Sequence, residues 1–409
     1  MFETLRNALK VKDIRKRLLF TLVVLIICRL GSQLPIPGID TDTISQYLNS
    51  LLGDSFNLLN SFTGGSFESM SLFALNVTPY ITASIIIQLL TIAIPALEEL
   101  YRDGEDGRKK INNITRFVTL GLSVLESAGL AIGFGKQGLL SNYGPLIVME
   151  MIVCLTAGSV FVMWLGEQIT DKGVGNGISI ILLCNIVSRM PSDLYNLYQK
   201  FMEGKQISNV IIAGVIIFIV IIGTIILTII LNDAERRIPV QYSRKIQGGS
   251  QLGGLGSTLP VKVNTANVMP IIFAQALMFI PLTIVRFNTD NTSNVMRQLL
   301  DTNSFLYNAV YVVLVVAFTY FYTAITLNPT QMAEDMKRNN GFIPGVKPGK
   351  DTADYIDTVM SRITFPGSLF IAFIAIMPAL ASLLDVQQGF AQFFGGTSLL
   401  ILVGVVIDS

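Results

Sequence analysis

Ten long apolar blocks, separated by polar or basic connections, leave this 409-residue chain few ways to fold. They run roughly over residues 18–34, 72–95, 117–134, 146–165, 176–190, 210–231, 268–285, 305–327, 365–384 and 390–407. A helix crosses a bilayer with about 20 apolar residues, so ten crossings use about half of the chain. Charged residues make up only 14% of it, against about 25% in an ordinary soluble domain. The pattern predicts an all-α polytopic membrane protein with ten transmembrane helices. The stretch Val210–Leu231 carries no charge at all. The fifth and seventh blocks are short or polar-spotted, with Asn185 and Gln275, and are expected to face protein or a cavity rather than lipid.

What is missing removes whole chemistries. The chain has no histidine, which excludes Ser-His-Asp and Cys-His catalysis, zincin sites and His-ligated haem. Cys28, Cys154 and Cys184 lie in apolar blocks without CxxC spacing and read as small core hydrophobes. No catalytic residue, metal ligand or cofactor site is expected. Residues 133–138 match G-x-G-x-x-G, but they follow an apolar helix into an external loop, whereas a dinucleotide site needs a strand before and a helix after. No Walker A sequence is present. Gly173, Gly175 and Gly177 read as a tight, packing-driven turn before the fifth block. The net charge of +1 gives no overall pull toward nucleic acid. The first apolar block follows a basic start with no small-residue cleavage site after it, so it is expected to be a span rather than a cleaved signal.

Lysine and arginine set the orientation. Twenty-two of the 29 cations fall in the N-terminal stretch and in the second, fourth, sixth and eighth connections. The positive-inside rule then places both termini in the cytoplasm. Dividing the spans five and five gives an N-terminal half, 1–190, and a C-terminal half, 191–409. An odd number per half inverts one relative to the other, an arrangement that puts functional sites at the repeat interface. No sequence repeat between the halves is evident, so the symmetry is inferred from topology alone.

Several features stand outside this frame. Residues 58–70, LLNSFTGGSFESM, are too short and polar to span; they read as an external loop or as a re-entrant segment in a protein-lined cavity, since lipid does not tolerate a Gly-Gly backbone. Glu126 lies mid-span, where an ionised group is costly. It reads either as a relay or, having no partner charge in another span, as a carboxylate hydrogen-bonded across a helix interface. Arg29, near the outer end of the first block, is expected to snorkel toward water. The connections 232–265 and 328–364 are long, charged and punctuated by Pro and Gly. Loops of this size fit the docking of a soluble partner, against the plainer reading of a solvated linker.

The chain also resembles the SecY family, the large subunit of the bacterial protein-conducting channel. The matching stretches are Arg29-Leu-Gly with Pro35-Ile-Pro37, Pro79–Gln88, Gly107-Arg-Lys-Lys110, Gly175–Ile180, Glu235–Tyr242, Val261–Asn264, Met269–Ala274, Phe342–Gly349 and Gly395–Leu400. They occur in family order along nearly the whole chain. The resemblance implies an hourglass pore between the halves, closed by a ring of Ile81, Ile85, Leu182, Ile272 and Ile401. It makes residues 58–70 an external plug, with Leu58, Leu59, Phe62 and Phe67 as its apolar face. A lateral gate would open between the second and third spans and the seventh and eighth, with Gln88, Glu126 and Gln275 as polar contacts across it.

The long loops would dock a SecA-like ATPase motor or a translating ribosome through Arg244, Lys245 and Lys347. SecE-like and SecG-like small membrane subunits, unfolded preproteins, signal sequences and the lipid bilayer complete the implied partners, at the bacterial inner membrane. Three departures from the family pattern concern docking: Lys347 stands where Arg is usual, residues 247–255 are rich in Gly, Ser and Gln, and no basic tail follows Ser409. The implied function is a channel that moves unfolded secretory chains across the membrane and releases transmembrane segments into lipid. The alternatives are a divergent accessory SecY paralogue with a restricted client set, kept open by those loops, and a secondary transporter.

Overall fold

A computed structural model describes residues 10–37, 39, 63–136, 138, 144–201, 219, 222–242, 257–266, 268–275, 277–278, 304–383 and 397–408. The chain divides into two compact units, Met1–Val210 with Asp385–Phe393 and Val405–Ser409, and Ile211–Leu384 with Phe394–Gly404.

The first unit contains α1 (Lys12–Gly31), α2 (Thr78–Ala93), α3 (Pro95–Arg102), α4 (Gly104–Lys136), α5 (Pro145–Lys172) and α6 (Gly177–Phe201). Helix α4 packs on α2 and α5, and α5 on α1 and α6. Both α4 and α5 are long and apolar enough to cross a membrane, while α2 and α3 form a broken pair bent by 105°. Local chemistry explains the break. Pro95 forces the preceding Ile94 into extended backbone (φ −114°, ψ 111°) and then opens α3 as its first residue.

Two helix starts differ from the apolar blocks. The second block begins at residue 72, but residues 72–77 form turns and the helix starts at Thr78. Asn76 has a left-handed backbone (φ 49°), which interrupts any earlier helix. Conversely α4 begins at Gly104, well before Phe117. Hydropathy sees only the membrane-embedded part, and the polar stretch before it is helix-competent, with Glu105 and Asp106 complementing the helix dipole in the first turn.

Several hydroxyl groups inside the helices are satisfied locally, as an apolar surround favours. Thr119, Ser127 and Thr323 donate to carbonyls one turn back at 2.7, 2.5 and 2.8 Å. Ser127 Oγ also meets Thr156 Oγ1 at 3.2 Å, joining α4 to α5. The outer faces carry Leu125, Leu146 and Val153, 60–77% exposed, a surface suited to lipid.

The second unit contains α7 (Ile222–Asp233), β1 (Glu235–Tyr242), β2 (Ser257–Lys262), α8 (269–275), α9 (Phe305–Thr326), α10 (Pro329–Arg338), β3 (Gly341–Phe342), α11 (Lys350–Leu383) and the greater part of α12 (Thr397–Asp408). Leu231, Ile271, Tyr311, Val315, Ile371 and Leu400 form one apolar core that joins α7, α8, α9, α11 and α12. A second core of Ile238, Val240, Val261, Met336, Ile343, Ile356 and Met360 lies under a three-stranded antiparallel sheet of order β2-β1-β3. Within the sheet Ile238 pairs with Leu259 and Arg237 with Pro260. Parts of the two long connections, 232–265 and 328–364, therefore fold together against the first turns of α11.

Candidate functional site

Within the first unit, residues 64–77 form a non-helical segment seated among the helices. Its two ends of attachment differ in kind. Downstream, Ile36 N donates to Met70 O at 3.1 Å and Leu72 N to Leu34 O at 2.9 Å, flanking a bridge between Pro35 and Ser71. Met70 is fully buried and Phe67 nearly so, in a core with Ile36, Ala131, Phe134, Met151 and Leu155. Ser159 Oγ on α5 donates to Asn76 O at 3.0 Å.

Upstream, the contacts are to two arginines. Arg29 Nη1, from the end of α1, donates to Gly64 O at 3.2 Å. Arg189 on α6 pairs with Glu68, Nη1 to Oε2 at 3.4 Å. Gly64 sits against Asn185 of α6 so closely that an added Cβ would lie 3.0 Å from the Asn185 backbone. Arg29 thus does not snorkel to water as expected: a carbonyl 35 residues away in the chain takes the hydrogen bond instead. Asn185, expected to face protein, is 1% exposed. The Arg29 and Arg189 contacts were not read from the sequence. The available signal was that both belong to the seven cations left off the positive side, the side on which the Gly-Gly pair, fit for close backbone approach, was also expected.

The residues assigned to the ring fall in both units. Ile81 and Ile85 are one turn apart on α2, the first half-buried and the second 7% exposed, and Leu182 on α6 is buried. In the second unit Ile272 on α8 is half-buried and Ile401 on α12 buried, and their chain neighbours Ile271 and Leu400 share one core. Of the residues assigned to the gate, Gln88 is half-buried on α2 and Glu126 half-buried on α4. Gln275 hydrogen-bonds Tyr311 within the second unit. Of those assigned to the plug, Phe67 belongs to the buried core just described, while Leu58, Leu59 and Phe62 lie outside the described residues.

The sheet of the second unit presents one buried and one open face. Ile238, Val240 and Val261 point into its core, while Arg237, Pro239, Pro260 and Lys262 are exposed. Phe342 is 39% exposed on β3, and the exposed cations Lys337, Arg338, Lys347 and Lys350 flank it in sequence. The Lys347 carbonyl accepts from Thr352 Oγ1 at 2.8 Å, which fixes the turn into α11. Asn264 Nδ2 donates to Asn232 Oδ1 at 2.8 Å and Val263 N to Ala234 O at 2.8 Å, closing the base of the β1–β2 hairpin. Arg244 and Lys245 lie outside the described residues.

Comparison with known proteins agrees with this architecture. The family model SecY matches residues 71–409. The protein translocase subunit SecY of Streptomyces scabiei is 39% identical, with 100% of this chain and 96% of that protein covered. Those of Halalkalibacterium halodurans and Aquifex aeolicus are 40% and 38% identical over the same shares. Among solved structures, one described as a protein-conducting channel superposes with a TM-score of 0.63 at 18% identity, covering 97% of this chain and 91% of that one. Sec61 in a canine ribosome–channel complex gives 0.60 at 17% identity, with the same coverage. With a family match over most of its length and relatives near 39% identity along all of it, the chain belongs to the SecY family.

Proposed function

We propose that this SecY-family chain is a passive protein-conducting channel of the bacterial inner membrane. It moves unfolded secretory chains across and releases transmembrane segments sideways into lipid. The observation that carries the reading is the seat of residues 64–77: irregular, glycine-bearing backbone packed among apolar helices, at home only where it lines or seals a cavity. Full-length identity to translocase subunits supports it.

In this reading Ile81, Ile85, Leu182, Ile272 and Ile401 form the constriction. Bulky aliphatic side chains dewet a narrow pore and stop ions, yet they part around an extended chain without reading its sequence. Leu58, Leu59, Phe62 and Phe67 give the plug its apolar face. Gln88, Glu126 and Gln275 are polar contacts of the lateral gate that an incoming apolar helix displaces. The chain carries no catalysis of its own; a SecA-like motor or a translating ribosome supplies the drive. Arg244, Lys245 and Lys347 meet acidic or phosphate groups of that partner. A ribosome is the partner in the canine neighbour, which supports this assignment. SecE-like and SecG-like subunits complete the complex, with both termini in the cytoplasm.

The test is site-specific photo-crosslinking to a stalled secretory chain in native membranes. Probes at Ile85 and Ile272 are expected to crosslink, and a control probe at Ile219, 62% exposed in the charge-free sixth block, is not. An engaged complex without crosslinks at either ring position would sink the reading.

A further inference from the structure

We propose that Cys28 on α1 and Cys184 on α6 form one dithiol site, which a small organic disulfide oxidises to a bond joining the two helices. The inference goes beyond the channel reading and does not depend on it.

Register carries the argument. The buried residues of α1 are Thr21, Val24, Cys28 and Gly31, spaced as one helix face, and α1 packs on α5 and α6. Thr21 fixes one end of that face. Its Oγ1 accepts from Val174 N at 3.3 Å, in the turn that leads into α6 at Gly177. Arg29 fixes the other end. An added Cβ on Gly64 would lie 2.8 Å from Arg29 Nη1 and 3.0 Å from Asn185 Cα, so the two helices meet again through this glycine. They therefore run in the same direction and in step. Cys28 stands seven residues beyond Thr21, and Cys184 seven residues beyond Gly177. With a rise of roughly 1.5 Å per residue, each lies about 10 Å along its helix. Local electrostatics agree: Cys28 and Cys184 interact with each other, and the Arg29 guanidinium acts on both.

The two thiols differ in access, which orders the chemistry. Cys28 is buried at 3% exposure, whereas Cys184 is half-buried. Cys184 Sγ attacks the reagent disulfide first; a mixed disulfide forms and one reagent thiol leaves. Cys28 Sγ then attacks Cys184 Sγ and expels the second reagent thiol. The two protein thiols give up two protons and two electrons, and one reagent disulfide becomes two thiols. The second step reads spacing, because a disulfide needs Cα atoms about 4.4–6.8 Å apart. Two separate core thiols would instead each retain half of a reagent molecule. The third thiol, Cys154 on α5, packs against a different cluster, with Met151 and Leu155, and serves as an internal control.

The experiment treats the unsubstituted full-length protein in membranes with 4,4′-dithiodipyridine, a small permeant disulfide. After an acid quench the chain is weighed intact and then digested without reductant. The expected result is a single pyridylthio adduct, at Cys154, together with a linked peptide pair that contains Cys28 and Cys184. Because no residue is changed, misfolding of a variant does not obscure this outcome. Adducts at all three cysteines without a linked pair would overturn the proposal, as would Cys28 and Cys184 both left as free thiols. In the Cys28→Ala protein, Cys184 is expected to be trapped as its mixed disulfide, so that adducts rise from one to two and the linked pair disappears. A pair that persists there, joining Cys184 to Cys154, would also overturn it. Failure of the channel reading shows elsewhere, as absent client crosslinks at Ile85.

Discussion

Gly64 and Gly65 share a left-handed backbone, φ +65° and +89°, but not an environment. A Cβ on Gly64 would stand 2.8 Å from Arg29 Nη1 and 3.0 Å from the Asn185 backbone, whereas one on Gly65 has nothing nearer than Arg189 Nη1 at 3.9 Å. Alanine at either position costs about 1–2 kcal/mol of backbone energy. At Gly64 it also displaces a guanidinium from its carbonyl, which adds about 1 kcal/mol or more. Hydrogen exchange at the Phe67 amide, which is bonded to Thr63 Oγ1 at 3.3 Å, is expected to accelerate more in Gly64→Ala than in Gly65→Ala. Equal acceleration would show that backbone strain alone governs the seat. The sequence makes the Gly-Gly pair legible, because lipid rejects such backbone. It does not reveal where Arg29 goes: a guanidinium at the end of a span finds water or a carbonyl, and only a contact across 35 residues decides which.

The elements most legible in the sequence are those held by long-period hydropathy. Helices α4, α5, α9 and α11 contain the third, fourth, eighth and ninth blocks and are long and apolar enough to cross a membrane. Helix ends outside the bilayer are not legible by that signal, as the early start of α4 shows. The sheet was missed for a different reason. Its strands carry Pro239 and Pro260, and proline inside a run argues against a central strand. Strand β1 tolerates Pro239 because β3 pairs with it only at Gln241 and Tyr242, leaving an open edge beside the rest. What holds the sheet is its separate core, and that yields a contrast. Ile356 on α11 is fully buried beneath the strands; Ile356→Ala is expected to cost about 2–5 kcal/mol locally. Phe342→Ala, at a half-exposed site, is expected to leave stability within about 0.5 kcal/mol. Limited proteolysis in membranes checks both: the first change opens the 235–262 hairpin to cleavage and the second does not. If Phe342→Ala still weakens ribosome or motor binding, the sheet's open face is the docking surface.

At the scale of the whole molecule, the charge asymmetry and the five-and-five division make a geometric claim that neither unit carries by itself. If ten spans run inward and outward in turn from a cytoplasmic N-terminus, equivalent positions of the two halves lie on opposite sides of the membrane. Four sites distinguish this from other topologies. Lys172 follows the fourth span and Lys350 precedes the ninth; both are exposed and expected to face the cytoplasm. Gly144 precedes the fourth span and Ser304 the eighth, and both are expected to face outward. Gly144 accepts a side chain readily, with extended backbone (φ −141°, ψ 157°) and open space around its Cβ position. Ser304 caps α9 by accepting from Leu306 N at 3.3 Å, so its loss costs about 1 kcal/mol without moving the helix. Single cysteines at these sites, in a background free of the native three, are tested with a membrane-impermeant maleimide. In right-side-out vesicles, labelling is expected at 144 and 304 only; in inverted vesicles, at 172 and 350 only. Ser304→Cys reacting from the cytoplasmic side would remove or add a span between the halves. The second half would then no longer be inverted, and the proposal that Ile85 and Ile272 serve one pore would lose its geometric basis even though each helix kept its place within its own unit.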